Sequence, residues 1–252
     1  MTPSQKECPV VLITGGATGI GRACAVRFAQ LGFNVVVNFS RSEREANQTL
    51  KLVEAESQSC LLAQCDVSSD SDVRSMIQRV SLEFGRLDVL VNSAGTTQFL
   101  ELTDLDAMTD ELWDRILAVN LKAPFYCVRA AEPLLRNSEH ASVVNISSVA
   151  GLRGTGSCHA YTASKGGLNA LTKSLALTLA PKIRVNAVCP GPVDGRWMAQ
   201  SMSKEELAKQ AEQFPIPRPA TPDDIATTVT YLALEATLST GQLLVVDGGR
   251  TM

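Results

Sequence analysis

The stretch Val10-Val-Leu-Ile-Thr14-Gly-Gly-Ala-Thr-Gly19-Ile-Gly21 decides how the rest of the chain reads. Val10–Thr14 is a short, nearly unbroken apolar run, the pattern of a strand covered on both faces. Ile20, Ala23, Val26 and Leu31 then recur at a roughly helical period. Between them lie glycines, which let a backbone approach a ligand closely. The new helix adds unpaired N–H groups and the positive end of its dipole, a setting that suits a pyrophosphate. The glycines fall at 15, 19 and 21, a spacing that differs from GxGxxG. A tight strand-to-helix connection is the competing reading of such a turn, so its context decides.

That context is strand–helix alternation along the whole chain. Val10–Thr14, Asn34–Asn38, Leu61–Gln64, Val89–Asn92, Ser142–Ile146, Arg184–Val188 and Leu243–Val246 read as strands. Helical patterns follow Gly19 and cover Ser42–Ser57, Ser69–Phe84, Thr109–Leu135 (long enough to carry a bend) and Tyr161–Leu179. Ser203 is placed to cap a helix over Lys204–Gln213, and Thr221-Pro222 to open a last one ending at Leu234. Repeated alternation predicts an α/β fold: one doubly wound parallel sheet of about seven strands, helices on both faces, ligands at the carboxyl ends of the strands. No linker or repeat divides residues 1–252, which read as one domain. Residues 192–214 read as a substrate loop and lid within it.

Composition narrows the function classes. At 252 residues and 45% hydrophobic, the chain can bury a sizeable core. A formal net charge of −3 with no Lys/Arg block argues against a nucleic-acid partner. Seven scattered cysteines, without a CxxC pair, argue against a disulfide framework or a zinc site and for a reducing compartment. The polar segment Met1–Cys8 lacks the apolar core of a signal peptide. Polar residues such as Asn169 and Lys173 interrupt Leu168–Ala180, so no membrane span is expected. The expectation is a cytoplasmic protein without a metal.

One pair carries chemistry. In Tyr161-Thr-Ala-Ser-Lys165 the tyrosine and lysine lie four apart, on one helix face. A free phenol has a pKa of about 10, and a neighbouring ammonium lowers it, one way to build an acid/base near neutral pH. Alone, the pair reads more readily as a solvated helix face, and the rest of the chain decides. Further upstream stand Asp66-Val67 after the third strand, Asn92-Ser-Ala-Gly95 after the fourth, Asn120 in the long helix, and Ser147-Ser148 after the fifth; Pro190-Gly191 follows the sixth.

In order and interval these motifs, with Thr14–Gly21, resemble the short-chain dehydrogenase/reductase family over essentially the full length, and the fold it implies is Rossmann-like. The resemblance implies a catalytic set of Asn120, Ser148, Tyr161 and Lys165. Ser148 stands 13 residues before Tyr161, the family interval, and is preferred to Ser147 as the holder of the substrate oxygen. Tyr161 would protonate the forming alkoxide in reduction and act as base in oxidation. Lys165 would lower its pKa and bond the nicotinamide ribose, and Asn120 would hold a water leading from Lys165 to solvent. Gly15, Thr18, Gly19, Ile20 and Gly21 would cradle phosphate. Asp66 and Val67 would meet adenine, with an N-cap as the bland alternative for Asp66. Asn92 would brace the sheet while Ala94 and Gly95 admit a ribose. Pro190, Gly191 and Val193 would run along the nicotinamide, although Gly195 stands where family members often have threonine.

NAD-preferring relatives place an aspartate where this chain has Phe39. Asn38, Ser40, Arg41 and Ser42 are therefore candidate contacts to the adenosine side, and Arg41 with its serines would receive the 2′-phosphate of NADP(H), which is preferred over NAD(H). Gln98, Arg153, His159 and Trp197 are substrate candidates, His159 and Arg153 having local or solvated alternatives. Among family members the pattern is most similar to 3-oxoacyl carrier-protein reductases, implying hydride transfer to a carbonyl/secondary alcohol pair and a homotetramer. An NAD-dependent polyol or hydroxysteroid-type alcohol dehydrogenase and a non-catalytic NADP(H) sensor are the alternatives; a sensor would more typically carry a broken Ser/Tyr/Lys set.

Overall fold

The computed structural model describes residues 8–56 and 58–252; Met1–Lys6 and Glu7 of the polar leader and Ser57, the expected end of the second helix, lie outside the described residues. Seven strands form one sheet: β1 (Val10–Thr14), β2 (Asn34–Phe39), β3 (Cys60–Gln64), β4 (Val89–Asn92), β5 (Ser142–Ile146), β6 (Arg184–Pro190) and β7 (Leu243–Val246). Their order is β3-β2-β1-β4-β5-β6-β7, and every pairing is parallel. The expected doubly wound sheet is thus observed. The order reverses between β1 and β4, which opens a crevice at the carboxyl ends of those strands.

Alternating side chains of the strands feed two cores. Val10, Leu12, Val36, Leu90 and Val143 pack under α3 (Asp70–Phe84), α5 (Ala123–Leu135) and α7 (His159–Leu179). Val11, Ile13, Val35, Val91 and Val144 pack under α1 (Gly19–Gln30) and α9 (Pro222–Thr230). Because both faces are covered, β1, β2, β4 and β5 are buried throughout, which explains their unbroken apolar sequence. The remaining helices are α2 (Glu43–Ala55), α4 (Asp110–Leu117), α6 (Ala150–Arg153) and α8 (Lys204–Ala211). β7 is different: it is an edge strand, and Leu244 and Val245 are each 38% exposed. No helix of the described residues is long and apolar enough to cross a membrane.

The sequence-expected boundaries hold closely, with physical reasons at the ends. Ser69, Thr109, Ser203 and Thr221 each cap a helix through a side-chain oxygen, the last two in full capping boxes with Glu206 and Asp224. The bend expected in 109–135 is a π-helical turn, Ala118–Lys122, joining α4 to α5; the Ala123 N–H reaches back to the Ala118 carbonyl. A π turn inserts one extra residue, which here turns Asn120 inward and buries it.

At the other end of the sheet, Asp88 anchors β4. Its Oδ2 accepts from the Val10 N–H at 2.8 Å and from Arg86 Nε at 3.0 Å. Its Oδ1 accepts from Arg86 Nη2 at 2.8 Å and from the Ser138 hydroxyl at 2.6 Å. Burial would raise this carboxyl, but the bonds from Arg86, Ser138 and Val10 outweigh it and hold the group below its ordinary value. A depressed folded pKa stabilises above the unfolded value, about 3.9, and the contribution is lost as pH falls through the lower folded value. Asp88→Ala is expected to cost about 3 kcal/mol in urea unfolding at neutral pH. That gap should narrow as the pH drops below about 4; a gap unchanged by acid would contradict this account.

Candidate active site

The glycine loop is built from backbone constraints. Gly15 and Gly19 adopt φ of +65° and +53°, conformations that strain other residues. A Cβ on Gly21 would lie 2.3 Å from the Gly15 carbonyl oxygen, so α1 can start close to β1 only with glycine there. A Cβ on Gly19 would meet nothing within 4 Å, so the loop leaves open space beside it. Thr18 is the N-cap of α1 yet makes no capping bond with its side chain, leaving the helix's first N–H groups to an outside acceptor. These features fit a dinucleotide pyrophosphate.

Neighbouring side chains hold the loop in this shape. Asn38 is buried, its amide nitrogen donating to the carbonyls of Ala63 and Cys65 at 3.1 Å and its oxygen accepting from the Gly15 N–H at 3.3 Å. Its side chain is therefore turned into the sheet, and it braces the glycine loop instead of presenting its amide to a ligand. The Thr14 hydroxyl accepts from the N–H groups of Ser93 and Ala94, both at 3.0 Å, tying the loop after β4 to β1. Arg22 grips the Ala17 carbonyl from Nε and Nη2 and also reaches Thr49 and the Glu45 carbonyl on α2. Thr14 and Arg22 were not among the sequence candidates, because a threonine in a strand and an arginine on a helix carry no sign of what they will touch.

On the β2–β3 side, Asp66 is exposed and forms a local turn. Its Oδ1 accepts from the Ser68 N–H at 3.0 Å and hydroxyl at 2.7 Å. These bonds from Ser68 hold its carboxyl below the usual range, with a smaller pull from Arg115 and Arg41. The helix cap belongs to Ser69, so the N-cap alternative for Asp66 falls, and its Oδ2 makes no hydrogen bond among the described residues. Val67 is buried beside it. Ser40 and Arg41 are exposed and Ser42 half-buried at the mouth of the same end. Arg41 makes no ion pair among the described residues, with Glu43 or otherwise.

At the carboxyl end of β5 the two serines separate. Ser147 is buried, donating to Asn169 Oδ1 at 2.6 Å and to the Lys165 carbonyl at 3.3 Å. Ser148 is half-buried; its oxygen accepts from the Ala150 N–H at 3.1 Å, and its hydroxyl stands near enough to the Tyr161 phenol to draw that group's pKa down. Tyr161 and Lys165 lie on one face of α7, with Nζ 5.7 Å from the phenol ring centroid. Helix α7 is capped by Cys158, whose sulfur accepts from the Tyr161 N–H at 3.4 Å. Asn120 is 1% exposed; its oxygen accepts from the Thr96 N–H at 2.8 Å, and its nitrogen donates to the Thr96 carbonyl at 2.9 Å and to Ser164 at 3.1 Å. Its side chain thus clamps the loop after β4 onto α7.

The electrostatics depart from the expectation that Lys165 lowers the phenol. Burial pushes the Tyr161 phenol up to about 12, opposed by the nearby Ser148 hydroxyl. Burial also brings Lys165 down to about 8, with a smaller upward pull from Cys189. The ammonium donates to the Ile146 carbonyl at 2.7 Å, which fixes it at the base of the crevice. Desolvation is the largest cause for each group and moves both toward their neutral forms. Lys165 keeps two further N–H donors for a ligand hydroxyl.

The remaining candidates divide. Gly191 packs so closely on Asp247 that a Cβ would lie 2.7 Å from that residue's Cβ, and Val193 pairs with Ala220 in an isolated bridge. Pro190 accepts from the Val149 N–H at 3.0 Å, so this turn runs beside Ser148. Trp197 stands edge-on to Tyr161, centroids 5.8 Å apart. His159, by contrast, is bonded through Nε2 to the Leu102 carbonyl at 2.9 Å and secures a loop. Arg153 is exposed and donates to the Thr251 carbonyl at 3.2 Å, tying down the carboxyl-terminal segment. Gln98 is exposed.

Comparison with known proteins agrees with this geometry. Residues 15–251 match a family model described as enoyl-(acyl carrier protein) reductase. A protein assigned as ketoacyl reductase 2 of the granaticin polyketide synthase of Streptomyces violaceoruber is 41% identical over 250 residues, covering 99% of this chain and 98% of its own. The 3-oxoacyl-acyl-carrier-protein reductase FabG of Staphylococcus aureus (strain Mu50) is 37% identical, covering 98% of this chain and all of its own. A crystal structure of a chain assigned as a short-chain dehydrogenase/reductase from Burkholderia xenovorans superposes with a TM-score of 0.90 at 39% identity, over 96% of this chain and 98% of that one. The chain belongs to the short-chain dehydrogenase/reductase family and is an oxidoreductase of that family.

Proposed function

We propose that this enzyme reduces a ketone to a secondary alcohol with NADPH, and that its substrate class is the 3-oxoacyl thioester. The observation that carries the reaction type is the hydroxyl pair of Ser148 and Tyr161 at the carboxyl end of β5, with Lys165 Nζ 5.7 Å from the phenol ring. The nicotinamide supplies the hydride in reduction and takes it back in oxidation. Ser148 donates a hydrogen bond to the carbonyl oxygen and aligns it with Tyr161. As negative charge grows on that oxygen, the phenol gives up its proton to it and becomes phenolate. Lys165 stabilises the phenolate and, with its free donors, would hold the cofactor ribose. Asn120 keeps α7 and the loop at Thr96 in register and is the candidate holder of a water leading to Lys165. The names of the acyl-thioester relatives support the substrate class.

The choice of NADP(H) rests on charge. Phe39 leaves no carboxylate at the end of β2, and the exposed Arg41 stands near Asp66 without an ion pair among the described residues. Ser40, Arg41 and Ser42 together offer a guanidinium and two hydroxyls to a 2′-phosphate. Association into a homotetramer is proposed through β7 and the two long helical segments, where Leu244, Val245, Phe125 and Leu177 are exposed. Cys24, Cys60, Cys65, Cys127, Cys158 and Cys189 are outside any disulfide, which suits a reducing cytoplasm.

Tyr161→Phe should lower kcat for ketone reduction by about 10²–10⁴-fold in an NADPH oxidation assay, the range for removing a general acid; retention of most activity would refute the mechanism. Since Lys165 has a pKa of about 8, its charge is present below that pH and lost above it. The reduction rate should therefore hold level through neutrality and decline past that value, and a rate that rose with alkalinity would contradict the role. Arg41→Ala should raise KM for NADPH by about 10-fold or more, the worth of a charge-assisted bond, and leave KM for NADH nearly unchanged. Equal effects on both would remove the cofactor choice. Light scattering should give four times the 26.9 kDa chain mass, and a monomer would rule out the assembly.

A further inference from the structure

The segment between Val193 and Ser203 places one large side chain against the reactive residues. The indole of Trp197 meets the Tyr161 ring at 82° with centroids 5.8 Å apart. Its far edge approaches Gly95: a Cβ there would lie 3.2 Å from Trp197 Cη2 and 3.6 Å from Asn120 Oδ1. One ring thus spans from the loop after β4 to the phenol on α7, filling the room that a side chain at position 95 would need.

We propose that Trp197 is the wall that limits the size of the ketone substituent beside Tyr161, a specificity-determining residue of this chain. This deepens the reductase reading and rests on it. A carbonyl oxygen in hydrogen-bond reach of Tyr161 and Ser148 places its carbon within about 4 Å of the phenol oxygen. The two substituents on that carbon then point to opposite sides, and the indole bounds the side facing Gly95. The ring's carrier is anchored at both ends. The Asp194 N–H donates to the Ala220 carbonyl at 2.8 Å on one side, and the Ser203–Glu206 capping box of α8 follows on the other. Between them the turn Met198–Gln200 closes directly after Trp197. The ring itself is held lightly: it is 37% exposed, and its N–H makes no hydrogen bond among the described residues. Replacing it removes a wall without breaking a polar network. The surface it offers is a flat hydrocarbon face, which favours apolar substituents and gives no partner to a carboxylate other than a single N–H.

The test compares a small and a large ketone, ethyl 3-oxobutanoate and 2-tetralone, in the wild type, Trp197→Phe and Trp197→Ala. The expected result is a ratio of kcat/KM, tetralone over ester, that rises about tenfold or more in Trp197→Ala and less in Trp197→Phe, the scale of opening a pocket by several carbon atoms. KM for NADPH should stay within about twofold, since the proposed wall faces the ketone. A ratio unchanged in both variants, or an equal fall with both ketones, overturns the proposal while leaving the reductase reading intact. A second readout needs no turnover. The chain has two tryptophans, so Trp113→Phe leaves Trp197 as the only one, and its emission should shift when 2-tetralone is added to the NADP⁺ complex. No shift at saturating ketone overturns the proposal. A wild type that reduces neither ketone, nor any other in a panel, with either nicotinamide would overturn the reductase reading and this one with it.

Discussion

Three side chains of α7, Lys165, Asn169 and Thr172, are buried and each is bonded to β5 or to the residues that follow it. Lys165 donates to the Ile146 carbonyl, Asn169 accepts from Ser147, and Thr172 accepts from Asn145, which in turn accepts from Asn92 on β4. Spaced four and three apart, they form one polar stripe on the helix face that meets the sheet. Apolar packing alone would let a helix slide or rotate by fractions of a turn at small cost. A stripe of buried polar groups does not, because each group displaced from its partner is left unsatisfied in the interior. The position of Tyr161 relative to Ser148 depends on this stitching. So does the junction with β4, since Thr14, Asn92 and Asn145 are direct neighbours in the sheet register.

The other half of the crevice is fixed by a similar logic with different residues. Thr14 holds the loop after β4, Asn38 holds the glycine loop, and Arg22 fastens Ala17 to α2. All three spend polar atoms on the fold itself. They satisfy the backbone groups that an irregular, glycine-rich turn would otherwise bury without partners. Among the groups left over are the first N–H groups of α1 and one oxygen of Asp66. The site is thus what remains after the fold's own hydrogen bonds have been made.

This explains which parts were legible in the sequence. The strands could be read because burial on both faces leaves an unbroken apolar run, and the helix starts because Ser69, Ser203 and Thr221 cap through their own side chains. Tyr161, Lys165 and Ser148 are singled out by interval and resemblance. The buried stripe was not: Asn169, Thr172 and Asn145 look like residues of a solvated face until a partner strand is placed against them. Asn38 was read as a ligand contact for the same reason, since a polar residue at a strand end can turn either way. His159 and Arg153 sit on the right edge of the sheet, but Leu102 and Thr251 supply carbonyls that claim them first. Long-range partners decide such cases, and a linear pattern does not contain them.

The stitching that positions α7 also sets its chemistry. To bond Ile146, Lys165 must leave water, and the same burial that lowers its pKa to about 8 raises Tyr161 to about 12. A pair built only for a low phenol pKa would leave the lysine in solvent, fully charged, and would lose the fixed distance to the ring. This fold accepts the opposite balance: a protonated phenol in a defined place, near Ser148, beside an amine whose charge is reduced but not abolished at neutral pH. Such a phenol is a proton donor first. A positive charge brought by a ligand would favour the phenolate, in the direction opposite to burial.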